Sequence, residues 1–250
     1  YSLYIQIVIT IFMILFGVNF NVYFLLLTRK FSQALKSEEV RCYFFVIIAS
    51  ALMITFNVRH LFDNVWEALQ QAFFQVGSII TTTGYATTDF NVWPVFSKTI
   101  LVILMFVGAC AGSTGGGIKV SRLLILCKSA RKELQLYLHP NAVKKIKMDE
   151  KAIPHEVVRA TNMFLFVYIM IFVTSLLVIS LDNLDMISNF TAITATLNNI
   201  GPGLGAVGPT GNFGMFSWFS KLILTFDMLA GRLEIFPLLI LFVRDTWKKF

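Results

Sequence analysis

Two short stretches, Thr81-Thr82-Thr83-Gly84-Tyr85-Ala86-Thr87 and Asn198-Asn199-Ile200-Gly201-Pro202-Gly203, interrupt apolar sequence with hydroxyls, amides and glycine. Each closes an apolar run, Glu67 to Thr83 and Met186 to Asn199, that is too short to cross a bilayer with its flanks. The pattern predicts a half-helix that dips into the membrane and returns as irregular backbone. Backbone of that kind survives at membrane depth only where it is buried or lines a wet cavity, so water or ions must reach it. A half-helix entering from outside points its carbonyl end inward, with a charge of about −0.5, and such an end favours a cation. A helix lying on the membrane surface is the bland alternative for both runs.

Two further features carry chemical weight. The stretch Gly108-Ala109-Cys110-Ala111-Gly112-Ser113-Thr114-Gly115-Gly116-Gly117-Ile118-Lys119 lies near the middle of the span from Phe96 to Cys127. Helix propensity is poor there and the backbone is expected to unwind, although close helix packing through small residues would use the same composition. Arg232 lies inside an apolar span, where a charge costs about 2.5–3.5 kcal/mol and needs water or a partner. Asp227 and Glu234 are seven apart and share a helix face, whereas Arg232 is on another side. Its counterpart is therefore either an acid on another helix or a water-filled path that it faces as a barrier to cations.

The elements that must hold these residues follow from composition. Of 250 residues 56% are hydrophobic and 14% charged, with mean hydropathy +0.73, against roughly 25% charged in a globular domain. The solvent is a bilayer. Apolar runs at Leu3–Leu27, Tyr43–Val58, Thr99–Ile118, Ala160–Leu181 and Phe216–Val243 predict five crossings. Most Lys and Arg fall in three patches, Arg29–Arg41, Lys119–Arg159 and Arg244–Lys249, which places those patches and the carboxyl terminus in the cytoplasm. Asp63 and Asp185 are expected to cap the two half-helices. The chain lacks an initiator Met and opens straight into an apolar run, which reads as a piece of a longer polypeptide.

Other signals are set aside. A net charge of +7 placed between apolar spans implies anionic headgroups rather than nucleic acid. Cys42, Cys110 and Cys127 suggest no disulfide framework, and His60, His139 and His155 show no metal-ligand spacing. Gly112 to Lys119 is similar in composition to a phosphate loop, but Ile118 separates Gly117 from Lys119 and no strand precedes it. Gly203 to Gly208 matches a dinucleotide fingerprint in a membrane turn, outside the context that gives that motif meaning. No nucleophile, base and orienter constellation supports an enzyme, and no cofactor is expected.

The second half repeats the first. A shift of 117 residues places Gly84 on Gly201, Phe73 on Phe190 and Ile80 on Leu197. After the turn a shift of 123 aligns Phe96-Ser97-Lys98 with Phe219-Ser220-Lys221, Met105 with Met228 and Gly108 with Gly231. The repeated unit is helix, half-helix, turn, helix, and duplication explains it better than chance. The same alignment sets Arg232 opposite Ala109, at the depth of the glycine-rich stretch.

Thr-Thr-Gly-Tyr resembles the filter strand of potassium channels, where successive carbonyls replace the water of a dehydrated ion and glycine permits the backbone geometry. With the glycine-rich stretch and Gly231-Arg232-Leu233-Glu234, the whole chain resembles the carboxyl-terminal half of a TrkH-type potassium transporter, in the Trk/Ktr/HKT superfamily. The resemblance implies an all-α membrane protein of tandem helix, pore-helix, helix repeats with re-entrant filter loops. Residues 1–37 would be the last helix of an upstream repeat, 38–135 the third repeat, 136–158 a cytoplasmic loop and 159–250 the fourth repeat. It also implies a cation filter at Thr82, Thr83, Gly84, Tyr85, Asn199, Ile200, Gly201 and Pro202. The gate would be Gly112, Ser113, Thr114, Gly115, Gly116, Gly117 and Arg232. Potassium is the implied cargo and the bacterial inner membrane the implied location. Implied partners are the first two repeats, a second copy in a homodimer, and a TrkA-like cytosolic ring of nucleotide-binding regulatory subunits. A cation symporter, moving potassium with sodium or protons, and a non-conducting membrane scaffold or sensor are the alternatives.

Overall fold

The chain's structure, a computed structural model, describes residues 2–139, 145–233, 235–241 and 244–247. Its helices in chain order are α1 (Leu3–Phe16), α2 (Phe20–Leu27), α3 (Phe31–Lys36), α4 (Glu38–Val58), α5 (Val65–Ile80), α6 (Val95–Val107), α7 (Val120–Leu138), α8 (His155–Ile179), α9 (Met186–Leu197), α10 (Trp218–Arg232) and α11 (Ile235–Ile240). Between α7 and α8 stands one antiparallel pair, β1 (Lys147–Met148) and β2 (Lys151–Ala152), in register Lys147 to Ala152. Its turn residues Asp149 and Glu150 have φ of 49° and 67°, as a tight two-residue hairpin requires. Among the described residues the fold is all-α apart from this hairpin.

The stretches starting at Glu38 and His155 form helices long and apolar enough to cross a membrane. Leu3–Leu27, expected as one crossing, instead forms two helices bent by 93°. The break holds Gly17 and Asn19, but the mean hydropathy of Leu3–Leu27 stays high across them, so an apolar-span reading runs straight through the bend. The groups freed at the break find distant partners: the Tyr43 hydroxyl donates to the Ile14 carbonyl at 3.0 Å, and the Cys110 amide to the Gly17 carbonyl at 3.0 Å. The Phe20 amide reaches the Gly112 carbonyl at 3.2 Å, while Asn19 Oδ1 accepts from the Asn21 amide at 2.9 Å. A Cβ at Gly17 would lie 2.8 Å from Thr81 Cγ2, so glycine is required for this approach. Thr99–Ile118 is helical only to Val107, and Phe216–Val243 divides into α10 and α11; Glu234, Phe242 and Val243 lie outside the described residues.

Around the two half-helices the packing is parallel in plan. α1, α4 and α6 pack on α5, α8 and α10 pack on α9, and α6 also touches α9. Phe106 of α6 joins the two units, with ring centroids 6.4, 5.8 and 6.2 Å from Tyr168, Phe172 and Phe190. α9 is buried at every residue from Thr191 to Leu197, which a helix lying flat on a surface could not be.

The caps differ from expectation at one end. Asp185 caps α9, its Oδ2 accepting from the Ser188 amide at 2.9 Å. The Ser188 hydroxyl and amide hold the Asp185 carboxyl below the usual carboxylate range; this cap persists at neutral pH and is lost as pH falls through that depressed pKa. Asp63 caps nothing. α5 starts at Val65, so Asn64 occupies the cap position without a side-chain bond, and Asp63 is exposed one residue outside it.

Candidate functional site

The two turns have the same backbone. Thr82 and Asn199 have φ of 55° and 57°, and two residues later Gly84 and Gly201 have φ of 79° and 109°. Amides of Thr81, Thr82 and Thr83 donate to the carbonyls of Gly77, Ile79 and Ser78, and those of Asn198, Asn199 and Ile200 to Thr194, Thr196 and Ala195. Every pair in the first set maps onto one in the second through the 117-residue shift. Each is a helix end closed by a left-handed residue, with the carbonyls of the last turn satisfied. Beyond it, among the described residues, no group donates to the carbonyls of Thr82, Thr83, Gly84, Asn199, Ile200 or Gly201. Backbone oxygens left this way are ready acceptors for a cation or water. The Tyr85 carbonyl differs, accepting from Ser78 Oγ at 2.6 Å, though a carbonyl keeps a second lone pair.

The turns also meet each other. A Cβ on Gly84 would run into the Ile200 carbonyl oxygen and lie 3.2 Å from Pro202 Cδ, whereas nothing among the described residues stands within 4 Å of the equivalent point on Gly201. Thr83, Tyr85 and Gly201 are exposed. Outside the turns, Asn91 clasps the units together: its Nδ2 donates to the Gly205 carbonyl at 3.2 Å and its Oδ1 accepts from the Gly205 amide at 2.9 Å.

Residues 108–119 are non-helical and lie directly against both turns. The Gly116 amide donates to Thr82 Oγ1 at 2.7 Å, and a Cβ on Gly116 would sit 2.5 Å from the Asn198 carbonyl oxygen. A Cβ on Gly115 would sit 2.6 Å from that of Ala109 and 3.1 Å from the Thr81 carbonyl oxygen. Arg232 Nη1 donates to the Thr114 carbonyl at 3.0 Å, and Lys119 Nζ to the Gly115 carbonyl at 2.6 Å. The loop, Leu197, Gly231 and Arg232 enclose a cavity of about 200 Å³. Thus Ser113, Thr114, Gly115, Gly116, Gly117 and Arg232 line one space next to the turns, with Gly112 set beside Asn19 at the α1–α2 break.

Arg232 is exposed, and its hydrogen bond here is to a carbonyl rather than an acid. Asp227, on the same helix, is fully buried and accepts from Ser175 Oγ at 2.8 Å. The two charges therefore do point to different sides. Glu234 lies outside the described residues.

Three contacts at the site escape a reading of the residues in order. Asn198 accepts from the Tyr168 hydroxyl at 3.1 Å. Gly231 lets α10 approach the end of α9, where a Cβ would strike the Leu197 carbonyl oxygen. Glu39, 4% exposed, accepts from the Ala111 amide at 2.6 Å. A signal for Glu39 was present in the acid pair Glu38-Glu39, which stands inside a basic patch at the mouth of an apolar span.

A family model described as TrkH, cation transport protein, matches residues 1–249. The Trk system potassium uptake protein TrkH of Salmonella typhimurium is 39% identical over 245 residues, and that of Escherichia coli K12 is 38% identical over 247. Each alignment takes in 97% of this chain and 50% of the relative, so the chain spans about half the length of the curated relatives it matches. The crystal structure of the potassium transporter TrkH from Vibrio parahaemolyticus is similar with a TM-score of 0.90 at 37% identity, over 99% of this chain and 53% of that one.

Proposed function

The chain belongs to the TrkH family of cation transport proteins, and from that premise we propose that it supplies half of a pore for potassium uptake across the bacterial inner membrane. The observation that carries this reading is the duplicated turn, in which a left-handed residue and then a glycine present carbonyls that have no donor among the described residues. Potassium sheds its water to the oxygens of Thr82, Thr83, Gly84, Tyr85, Asn199, Ile200, Gly201 and Pro202 and to equivalent strands from the first two repeats. Those repeats complete the filter around Thr83, Tyr85 and Gly201, which are exposed in this chain. The loop from Gly112 to Gly117, seated on Thr82 and Asn198 and held by Arg232, is the gate beneath the filter.

Residues 1–37, a helix broken at Gly17 to Asn19 and followed by the short α3, serve as the last element of the second repeat, 38–135 as the third repeat, 136–158 as a cytoplasmic loop and 159–250 as the fourth repeat, with the carboxyl terminus in the cytoplasm. The full protein works as a homodimer on a TrkA-like ring, with the basic loop as a docking surface. Lys145 and Lys147 of that loop are described residues, whereas Lys144 lies outside them. Neutralising all three is expected to weaken binding of the ring to the full-length protein in a pull-down; undiminished binding removes the loop from the interface.

Electrical recording from proteoliposomes carrying the full-length protein tests the function. A potassium gradient alone is expected to drive current that sodium or proton gradients do not alter. Flux that requires a second ion would replace the channel with a symporter, and no flux under any gradient would leave a scaffold.

A further inference from the structure

Glu38 and Glu39, consecutive at the start of α4, hold different partners. Glu39 is 4% exposed, and its Oε1 accepts from the Ala111 amide at 2.6 Å and the Ser121 amide at 3.2 Å. Ala111 lies near the beginning of the unwound segment and Ser121 just past its end, in the first turn of α7, where amides lack helical acceptors. A single oxygen thus pins both ends of the glycine-rich loop. The Glu38 amide donates to Asp149 Oδ1 in the hairpin turn at 2.7 Å, and the Glu38 carboxylate pairs with Lys128 of α7. Lys128 Nζ also donates to the Lys147 carbonyl of β1 at 2.7 Å.

We infer that Glu39 is a positioning residue that sets the seat of the glycine-rich loop, and that Glu38, Lys128 and Asp149 tie this seat to the hairpin on the cytoplasmic side. The inference rests on the reading of the loop as a gate for its consequence in transport, but not for the geometry. A carboxylate this buried is tolerated because charge-assisted hydrogen bonds replace its water. Its removal leaves two amides without an acceptor and frees the loop at both ends. A load on the hairpin reaches the loop through two adjacent residues of one helix, with no flexible segment between them.

The test uses the full-length protein in nanodiscs, with hydrogen exchange followed at the Ala111 and Ser121 amides and basal rubidium flux followed in proteoliposomes. Glu39→Ala is expected to speed exchange at both amides roughly tenfold, the factor equivalent to about 1.4 kcal/mol. Because Oε1 makes both bonds, Glu39→Gln keeps the acceptor at the same reach and is expected to preserve protection and low flux. Glu39→Asp keeps the charge but falls short, and is expected to behave like the alanine variant. Rescue by aspartate but not glutamine would overturn the positioning role, as would unchanged exchange in the alanine variant. If alanine prevents folding, the glutamine and aspartate pair decides. Asp149→Ala, which touches neither amide, is expected to speed exchange at the same two positions; no change there would break the link to the hairpin. Arg232→Ala is the control for the gate: if it leaves flux unaltered the gate reading fails, while the exchange data still decide the role of Glu39.

Discussion

If the proposed filter holds potassium, Gly84→Ser in the full-length protein is expected to abolish potassium permeation and to remove the thermal stabilisation that an ion bound there confers. At φ of 79° an L-residue is strained, by roughly 1–2 kcal/mol. The new Cβ also runs into the Ile200 carbonyl oxygen and lies 3.2 Å from Pro202 Cδ, and overpacking of that kind costs about 1–3 kcal/mol more. Relief comes only from moving the two turns apart, which displaces the oxygens proposed to hold the ion. An ion bound at a hundred times its dissociation constant stabilises the folded state by about 2.7 kcal/mol, so its loss is measurable in a melt. Gly201→Ser separates the two effects. With φ of 109° and nothing among the described residues within 4 Å of its Cβ position, it strains only its own backbone. Both variants are expected to lose the potassium-dependent rise in Tm, and Gly84→Ser is expected to melt earlier in potassium-free buffer as well. A Gly84→Ser protein that still gains stability from potassium would contradict the filter assignment.

Arg232→Ala is expected to raise basal cation flux through the full-length protein by tenfold or more. The guanidinium does two things that alanine cannot. It holds the Thr114 carbonyl at 3.0 Å, which keeps the loop against the turns, and it places a positive charge beside the cavity under them. A unit charge opposing a cation at about 4 Å costs about 4 kcal/mol at an effective dielectric of about 20, so a tenfold change asks for only part of the barrier. Arg232→Lys distinguishes the two contributions, because lysine keeps the charge without the guanidinium fork. Low flux with lysine assigns the barrier to charge, and raised flux assigns it to the hold on the loop. Basal flux in Arg232→Ala equal to that of the unaltered protein would refute the gate role of this residue.

Much of the candidate site was legible residue by residue. The spacing of Gly84 and Gly201 placed two equivalent turns, and the structure repeats their hydrogen bonds through the same 117-residue shift. Left-handed backbone at Gly84 and Gly201 suits glycine and punctuates apolar sequence visibly. Thr82 and Asn199 were less legible: both are left-handed without being glycine, and only the helix-end hydrogen bonds around them explain it. The bend after Phe16 was hidden because Leu3–Leu27 carries no charge and averages apolar, which outweighed the local signal of Gly17 and the capping Asn19. Its stability comes from Tyr43, Cys110 and Gly112, far along the chain. Asp63 lies one residue outside the cap position of α5, which Asn64 occupies, a scale at which helix starts are not defined by composition.

The chain's solvent, its two half-helices, the glycines at their ends and the weak helix propensity of residues 108–117 follow from amino-acid types and their order, because each depends on a residue's own backbone preference or its transfer from water. The tertiary structure alone decided what these pieces touch: Gly116 on Thr82, Arg232 on Thr114 and Glu39 on Ala111. Those pairs lie 34, 118 and 72 residues apart, and each hydrogen bond forms only where packed helices bring donor and acceptor within about 3 Å of each other.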